Sequence, residues 1–238
     1  IWVRWGHSGQ YGTDFLVPGM AVEIVDNHTL EAYARRIVAK VERFNKEYSA
    51  VTFTEPLPEN IRPGHLIAAD EPGPDVHISG CRMSGNRARG LLIGSRGRVI
   101  IENNYFHIAG ASILFEGDGN FWFEQSGVRD VTIRNNIFAN GNYGSRGWGS
   151  ACIAVGSGIS QRQTSRYHRN IQVDGNLFRV FDPRIVNLYC VDGFQFSASN
   201  RIVRTSDYPA TFDPKLHFVF DQCDHIEIPR QIEMAEQR

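Results

Sequence analysis

The 238-residue sequence balances 25 Lys and Arg against 26 Asp and Glu, for a formal net charge of −1. That balance gives no electrostatic case for nucleic acid or an anionic membrane as a partner, and no run of about 18 apolar residues is present that could span a bilayer. The length allows a sizeable core, and 23 glycines with 11% aromatics suit a loop-rich β protein.

Residues 1–74 read as a small antiparallel β module. "IWVRW", "AVEIVD" and "AVTFTEPLP" alternate apolar and polar residues between Gly and Pro turns. The stretch "NHTLEAYARRIVAKVERFN" supports two readings. Glu31, Ala32, Ala34 and Lys40 favour helix, whereas "RIVAKVERF" alternates as strand, and the strand reading fits the module. Asn27-His28-Thr29 also matches a glycosylation sequon, a triplet common by chance. "DEPGPD", Asp70 to Asp75, is the linker into a second region, 75–238.

That region repeats a phrase: "VHISGCRM" from Val76, "VIIENNYF" from Val99, "VTIRNNIF" from Val131 and "IQVDGNLF" from Ile171. The first and third residues of each copy are β-branched and the fourth is polar, which is strand alternation. The pair that follows is Gly80-Cys81, Asn103-Asn104, Asn135-Asn136 or Gly175-Asn176. Its first member is a residue type that tolerates a left-handed backbone and so turns the chain. Its second member, stacked on its equivalents, forms an amide ladder. Met83, Phe106, Phe138 and Phe178 then fill one repeated interior position. Second strands follow at "RGLLIGS", "GASILFEG", "SACIAVGSG" and "RIVNLYC", and a fifth unit begins at "FQFSASNRIV", Phe194 to Val203. Units that bury their apolar face only against neighbours form a solenoid. The expected fold is all-β: a right-handed parallel β-helix with a small antiparallel β-barrel-like module at its N-terminal end.

Cys81, Cys152, Cys190 and Cys223 show no CxxC spacing and no histidine partner at metal-ligand spacing, and read as buried thiols. The eight histidines share no spacing, so neither a metal site nor a cofactor is expected. Variable loops 116–130, 140–149 and 156–170 are the place to look for function, since binding and catalysis concentrate on loops carried by a rigid scaffold.

In "FEGDGNFWFEQSG" the carboxylates Glu116, Asp118 and Glu124 surround Phe121, Trp122 and Phe123. Hydrolysis of a sugar linkage needs one carboxyl to protonate the leaving oxygen and another to activate water or attack carbon, and an indole offers a flat apolar surface for a sugar ring. Asp118 and Glu124 are the candidate catalytic residues, with Glu116 and Trp122 as substrate-binding residues. Arg87 and Arg89, in "GNRARGLLIGSRG", add planar donor forks suited to hydroxyls or oxyanions. Arg96 and Arg98 could equally pair with nearby acids. "GSRG" is no phosphate loop, because it lacks the lysine and following helix.

The stretch Asn86 to Gly144, above all "RARGLLI", "IENNYF" and the "GD...WFE.SGVRD" loop, resembles glycoside hydrolase family 110, bacterial α-1,3-galactosidases built on a β-helix interrupted by a small barrel. The resemblance implies release of terminal α-1,3-linked galactose from a glycan, with inversion and without a metal, by a secreted or periplasmic protein. It also implies further catalytic acids in coils preceding Ile1, so the chain reads as part of a longer protein. Another polysaccharide-active β-helix enzyme, such as a lyase, and a non-catalytic carbohydrate-binding solenoid are the alternatives. No nucleic acid or membrane insertion is expected.

Overall fold

A computed structural model describes residues 1–4, 15–119, 123, 127–144, 147, 149–161, 164–209 and 217–236. All of its regular elements are strands. The first five form an antiparallel sheet in the order β1 (Trp2–Arg4), β4 (Tyr48–Phe53), β3 (Ala32–Arg43), β2 (Ala21–Val25), β5 (Leu66–Ala69). Its core gathers Leu16, Val22, Val38 and Val51. The segment with two readings is therefore strand. The first half of β3 pairs with β2 and the second half with β4, so alternation and ladder pairing override the helix-forming residues within it.

The remaining strands stack into three parallel sheets that wind as a β-helix. Sheet 1 contains β6 (Val76–Ser79), β9 (Arg98–Glu102), β12 (Asp130–Arg134), β15 (His168–Asp174), β18 (Val191–Phe196) and β21 (Asp224–Glu227). Sheet 2 contains β7 (Arg82–Ser84), β10 (Tyr105–His107), β13 (Ile137–Ala139), β16 (Leu177–Val180), β19 (Arg201–Arg204) and β22 (Met234–Glu236). Sheet 3 contains β8 (Leu91–Leu92), β11 (Ile113–Gly117), β14 (Ile153–Ser157), β17 (Arg184–Tyr189) and β20 (His217–Asp221). Val76, Val99, Val131, Ile171 and Phe194 are successive partners in sheet 1, and Met83, Phe106, Phe138, Phe178 and Ile202 in sheet 2. The repeated phrase is thus one position on each coil, and the fifth coil starts where the sequence places it.

The turn between sheets 1 and 2 fixes this register. Gly80, Asn103, Asn135 and Gly175 have φ of 68°, 57°, 54° and 62°, the left-handed region that asparagine and glycine tolerate. The next residue faces inward. Asn104 Nδ2 donates to Asn136 Oδ1 at 3.1 Å, Asn136 Nδ2 to Asn176 Oδ1 at 3.0 Å, and Asn176 Nδ2 to Asn200 Oδ1 at 3.0 Å. Each Nδ2 also reaches a strand carbonyl, Ile78, Ile101 and Ile133 in turn. Beside the ladder, Phe106, Phe138 and Phe178 stack with centroids 5.2 and 4.6 Å apart and planes within 11°. Offset aromatic stacking adds about 0.5–1.5 kcal/mol per pair beyond area burial.

The N-terminal sheet docks where sheet 3 turns into sheet 1. Leu30 and Leu66 pack with Ile159 and Tyr167, Arg96 Nη1 pairs with Glu23 at 2.8 Å, Ser165 Oγ donates to the Thr29 carbonyl at 2.7 Å, and Arg166 N donates to Glu31 Oε1 at 2.9 Å. Pro74, in the linker, accepts from Ser95 Oγ at 2.6 Å. The cysteine expectation holds in part. Cys152 and Cys190 are buried, and burial pushes the Cys152 thiol up to about 12, but Cys81 is exposed and Cys223 part-buried. Cys81 lies on β6's coil, where among the described residues no coil stacks on the far side.

Asn136→Ala strands the Ile101 carbonyl and the Asn104 donors, and lowers stability in urea unfolding by on the order of 3–5 kcal/mol. Asn103→Gly, at an exposed left-handed position, changes it by less than about 1 kcal/mol. His168 is fully buried and neutral, with Nε2 donating to the Gly156 carbonyl at 2.8 Å, and burial pushes its pKa down to about 4. The unfolded chain binds this proton first, so its contribution is complete above about pH 6.5 and is lost as pH falls toward 4, by on the order of 3 kcal/mol. His168→Gln removes that part of the slope in denaturation measured between pH 4 and 7.

Candidate active site

The three variable loops all border sheet 3. Two run from sheet 3 to sheet 1, after β11 and after β14, and the third runs from β13 to β14. The outer face of sheet 3 is therefore the surface these loops border. On β11, Ile113 and Phe115 point into the core; alternation turns Leu114 and Glu116 outward. Leu114 and Ala154 are covered and cluster with Ala111. One step further along the strands, Glu116 is the partner of Gly156, and Tyr189 of Asp221. Among the described residues, nothing lies within 4 Å of where a side chain at Gly156 would begin, so they leave the floor open between Glu116 and Tyr189.

Glu116 is 45% exposed, and its Oε2 lies 3.9 Å from Nη2 of Arg89, itself 37% exposed. Among the described residues, Arg89 Nε is buried and has no hydrogen-bond partner. The structure therefore brings together Arg89 and Glu116, two of the candidate substrate-binding residues. Arg87 is exposed on the turn before β8. Trp122 and Glu124 lie outside the described residues.

Asp118 follows β11 directly and is part-buried. Its neighbours fix the chain closely. A side chain at Gly117 would strike the Tyr167 ring, and one at Gly119 would strike Leu30 and Leu66. The glycines of "EGDG" thus let the loop pass between the solenoid corner and the N-terminal sheet. Burial raises the Tyr167 pKa first, and the Asp118 and Glu23 charges push it the same way against Arg96 and Arg129.

The sequence reading did not single out Gly156 or Tyr189. Their signal was the period-two pattern of "IAVGS" and "NLYC", which marks outward positions without marking chemistry. A groove of about 620 Å³ also lies on the outer face of sheet 1, lined by Thr132, Arg134, Gln172, Asp174, Gln195 and Glu227 among others. Most of its polar groups are already engaged: Arg134 with Glu102 at 2.6 Å, Asp174 with Ser199 at 2.6 Å, and Gln195 with Glu227 at 3.3 Å. Among the described residues no three His, Cys, Asp or Glu groups converge on a metal position, and no helix is long and apolar enough to cross a membrane.

Residues 1–67 match the family described as GLAA-B beta-barrel domain II. The α-1,3-galactosidase A of Shewanella woodyi is 38% identical over 204 residues, 85% of this chain and 33% of that protein. The α-1,3-galactosidase B of Bacteroides thetaiotaomicron is 33% identical over 219 residues, 91% of this chain and 35% of that protein. That of Akkermansia muciniphila is 28% identical over 228 residues, 94% of this chain and 28% of that protein. The chain spans about a third of the length of these curated relatives. Across both its N-terminal sheet and its coils, it is homologous to the bacterial α-1,3-galactosidases A and B.

Proposed function

We propose that this chain forms part of a glycoside hydrolase that releases terminal α-1,3-linked galactose from glycans outside the cytoplasm, by inversion and without a metal, with the sugar on the outer face of sheet 3. The observation that carries the reading is the 38% identity to an α-1,3-galactosidase over 85% of the chain. The floor at Gly156, left open by the described residues and bounded by a carboxylate and an arginine, supports it.

An inverting site holds two carboxyls about 6.5–9.5 Å apart, one protonating the leaving oxygen and one activating a water. Asp221 is three rungs from Glu116, about 14 Å of sheet at about 4.8 Å per strand, so those two do not form the pair. Asp118 and Glu124, on the loop after β11, are the proposed catalytic carboxylates of this chain. One supplies a proton-transferring group and the other holds a sugar hydroxyl, the second catalytic acid coming from outside the chain. Glu116 and Arg89 bind hydroxyls above Gly156, and Trp122 stacks on the ring, with Arg87 at the rim.

Release of galactose from an α-1,3-linked galactosyl disaccharide tests this. Asp118→Asn or Glu124→Gln lowers kcat by about 10²–10⁴ with the melting temperature unchanged; normal turnover in both makes the loop structural. Trp122→Ala raises KM more than it lowers kcat. Gly156→Leu, entering open space at a position without left-handed strain, raises KM at least about tenfold and leaves thermal unfolding unaltered. Unchanged kinetics in Gly156→Leu would move the sugar off sheet 3.

A further inference from the structure

Away from the proposed sugar floor, the corner where sheet 3 turns into sheet 1 collects arginines from successive coils. Arg169 N donates to the Val128 carbonyl at 2.8 Å and Asn170 Nδ2 donates to the Arg129 carbonyl at 3.2 Å. These bonds set Arg169 beside Arg129 on adjoining coils, at the strand spacing of about 4.8 Å. Arg96 occupies the same corner one coil earlier, with a side chain only 9% exposed. Three guanidinium groups thus share one corner, two of them on neighbouring rungs, where like charges repel.

Among the described residues, four carboxylates near the corner have partners of their own. Glu23 pairs with Arg96 Nη1 at 2.8 Å. Asp192, the next rung beyond Arg169, accepts from His225 Nδ1 at 2.6 Å. Asp224 pairs with Arg166 at 2.6 Å, and Asp130 lies by Arg98 at 3.8 Å. Among the described residues, Arg129 has no carboxylate within ion-pair distance although it is half-buried, and Arg96 Nε is buried without a partner. Burial, then the charges of Arg169 and Arg96, lower the Arg129 pKa. Removing charge from water without a counter-charge is costly, and planar guanidinium forks match the geometry of carboxylate, sulfate and phosphate.

We propose that this corner is an oxyanion site, with Arg129 and Arg169 binding the anion beside the Arg96 charge of the preceding coil. None of the three arginines belongs to the proposed sugar floor, although the charges of Arg96, Arg129 and Asp118 all act on Tyr167. Its ligand is either a free oxyanion or an acidic group carried on a sugar.

The test is thermal unfolding and titration calorimetry of the chain with sodium sulfate, with sodium chloride at equal ionic strength as control. Sulfate stabilises proteins generally by exclusion from their surface, an effect that does not saturate at low millimolar concentration and is shared by variants. Wild type is expected to show an additional saturable rise in melting temperature with measurable heat of binding. Arg129→Gln should lose at least tenfold in sulfate affinity, and in sulfate-free buffer should melt at or above the wild-type temperature, because it removes repulsion. Arg169→Gln should behave the same way. No saturable effect in wild type, an equal effect in Arg129→Gln, or an Arg129→Gln protein less stable without sulfate would overturn the proposal. Comparison of galacturonate with acetate identifies the source, counting only Arg129-dependent binding. Tighter galacturonate means a sugar-borne acid, and equal affinity means a free oxyanion; both support the site.

Discussion

An asparagine amide on each of four successive coils holds the solenoid in register. The Asn104–Asn136–Asn176–Asn200 ladder bridges sequence separations of 32, 40 and 24 residues, so the coils differ greatly in length while their first turn does not. A side-chain amide can donate to the next amide and to a strand carbonyl while accepting from the neighbouring coil, and in a dry interior each such bond is costly to lose. A slip by one residue would turn Val131 and Ile133 outward and Thr132 inward. The ladder excludes that slip, and the loops can vary without cost to the core.

The candidate site inherits this register. Glu116 faces outward because Ile113 and Phe115 face inward, and it meets Gly156 because β11 and β14 pair residue for residue. The scaffold therefore sets the floor, while the loops set what surrounds it. The N-terminal sheet braces one edge. Leu30 and Leu66 contact the Gly119 turn, and Glu23 neutralises Arg96, so the loop carrying Asp118 is held from both sides.

The fold was legible in the sequence because its demands are specific to residue type. Left-handed corners call for Asn or Gly, the ladder calls for a buried amide, and the interior alternates. Coil five lacks the double-Asn phrase yet keeps Asn200, which reads as part of the ladder only after the spacing is known. Within the candidate site, Arg89 and Glu116 stand out in the sequence by their chemistry alone, and their 3.9 Å approach depends on coil register. Gly156 contributes by having no side chain, which no motif announces. Arg129 stood inside a quoted loop, but the arginines that give it meaning lie on other coils across loops of unequal length. Arg96 and Arg98 follow the plainer reading, as charges paired with Glu23 and Asp130.

A crystal structure of the protein soaked with galactose would show whether register on sheet 3 builds the proposed sugar floor. A pyranose is expected over Gly156, with a hydroxyl within hydrogen-bond distance of Glu116 and another at Arg89 Nη2. Galactose bound instead in the sheet 1 groove, between Gln172 and Gln195, with sheet 3 bare, would contradict it.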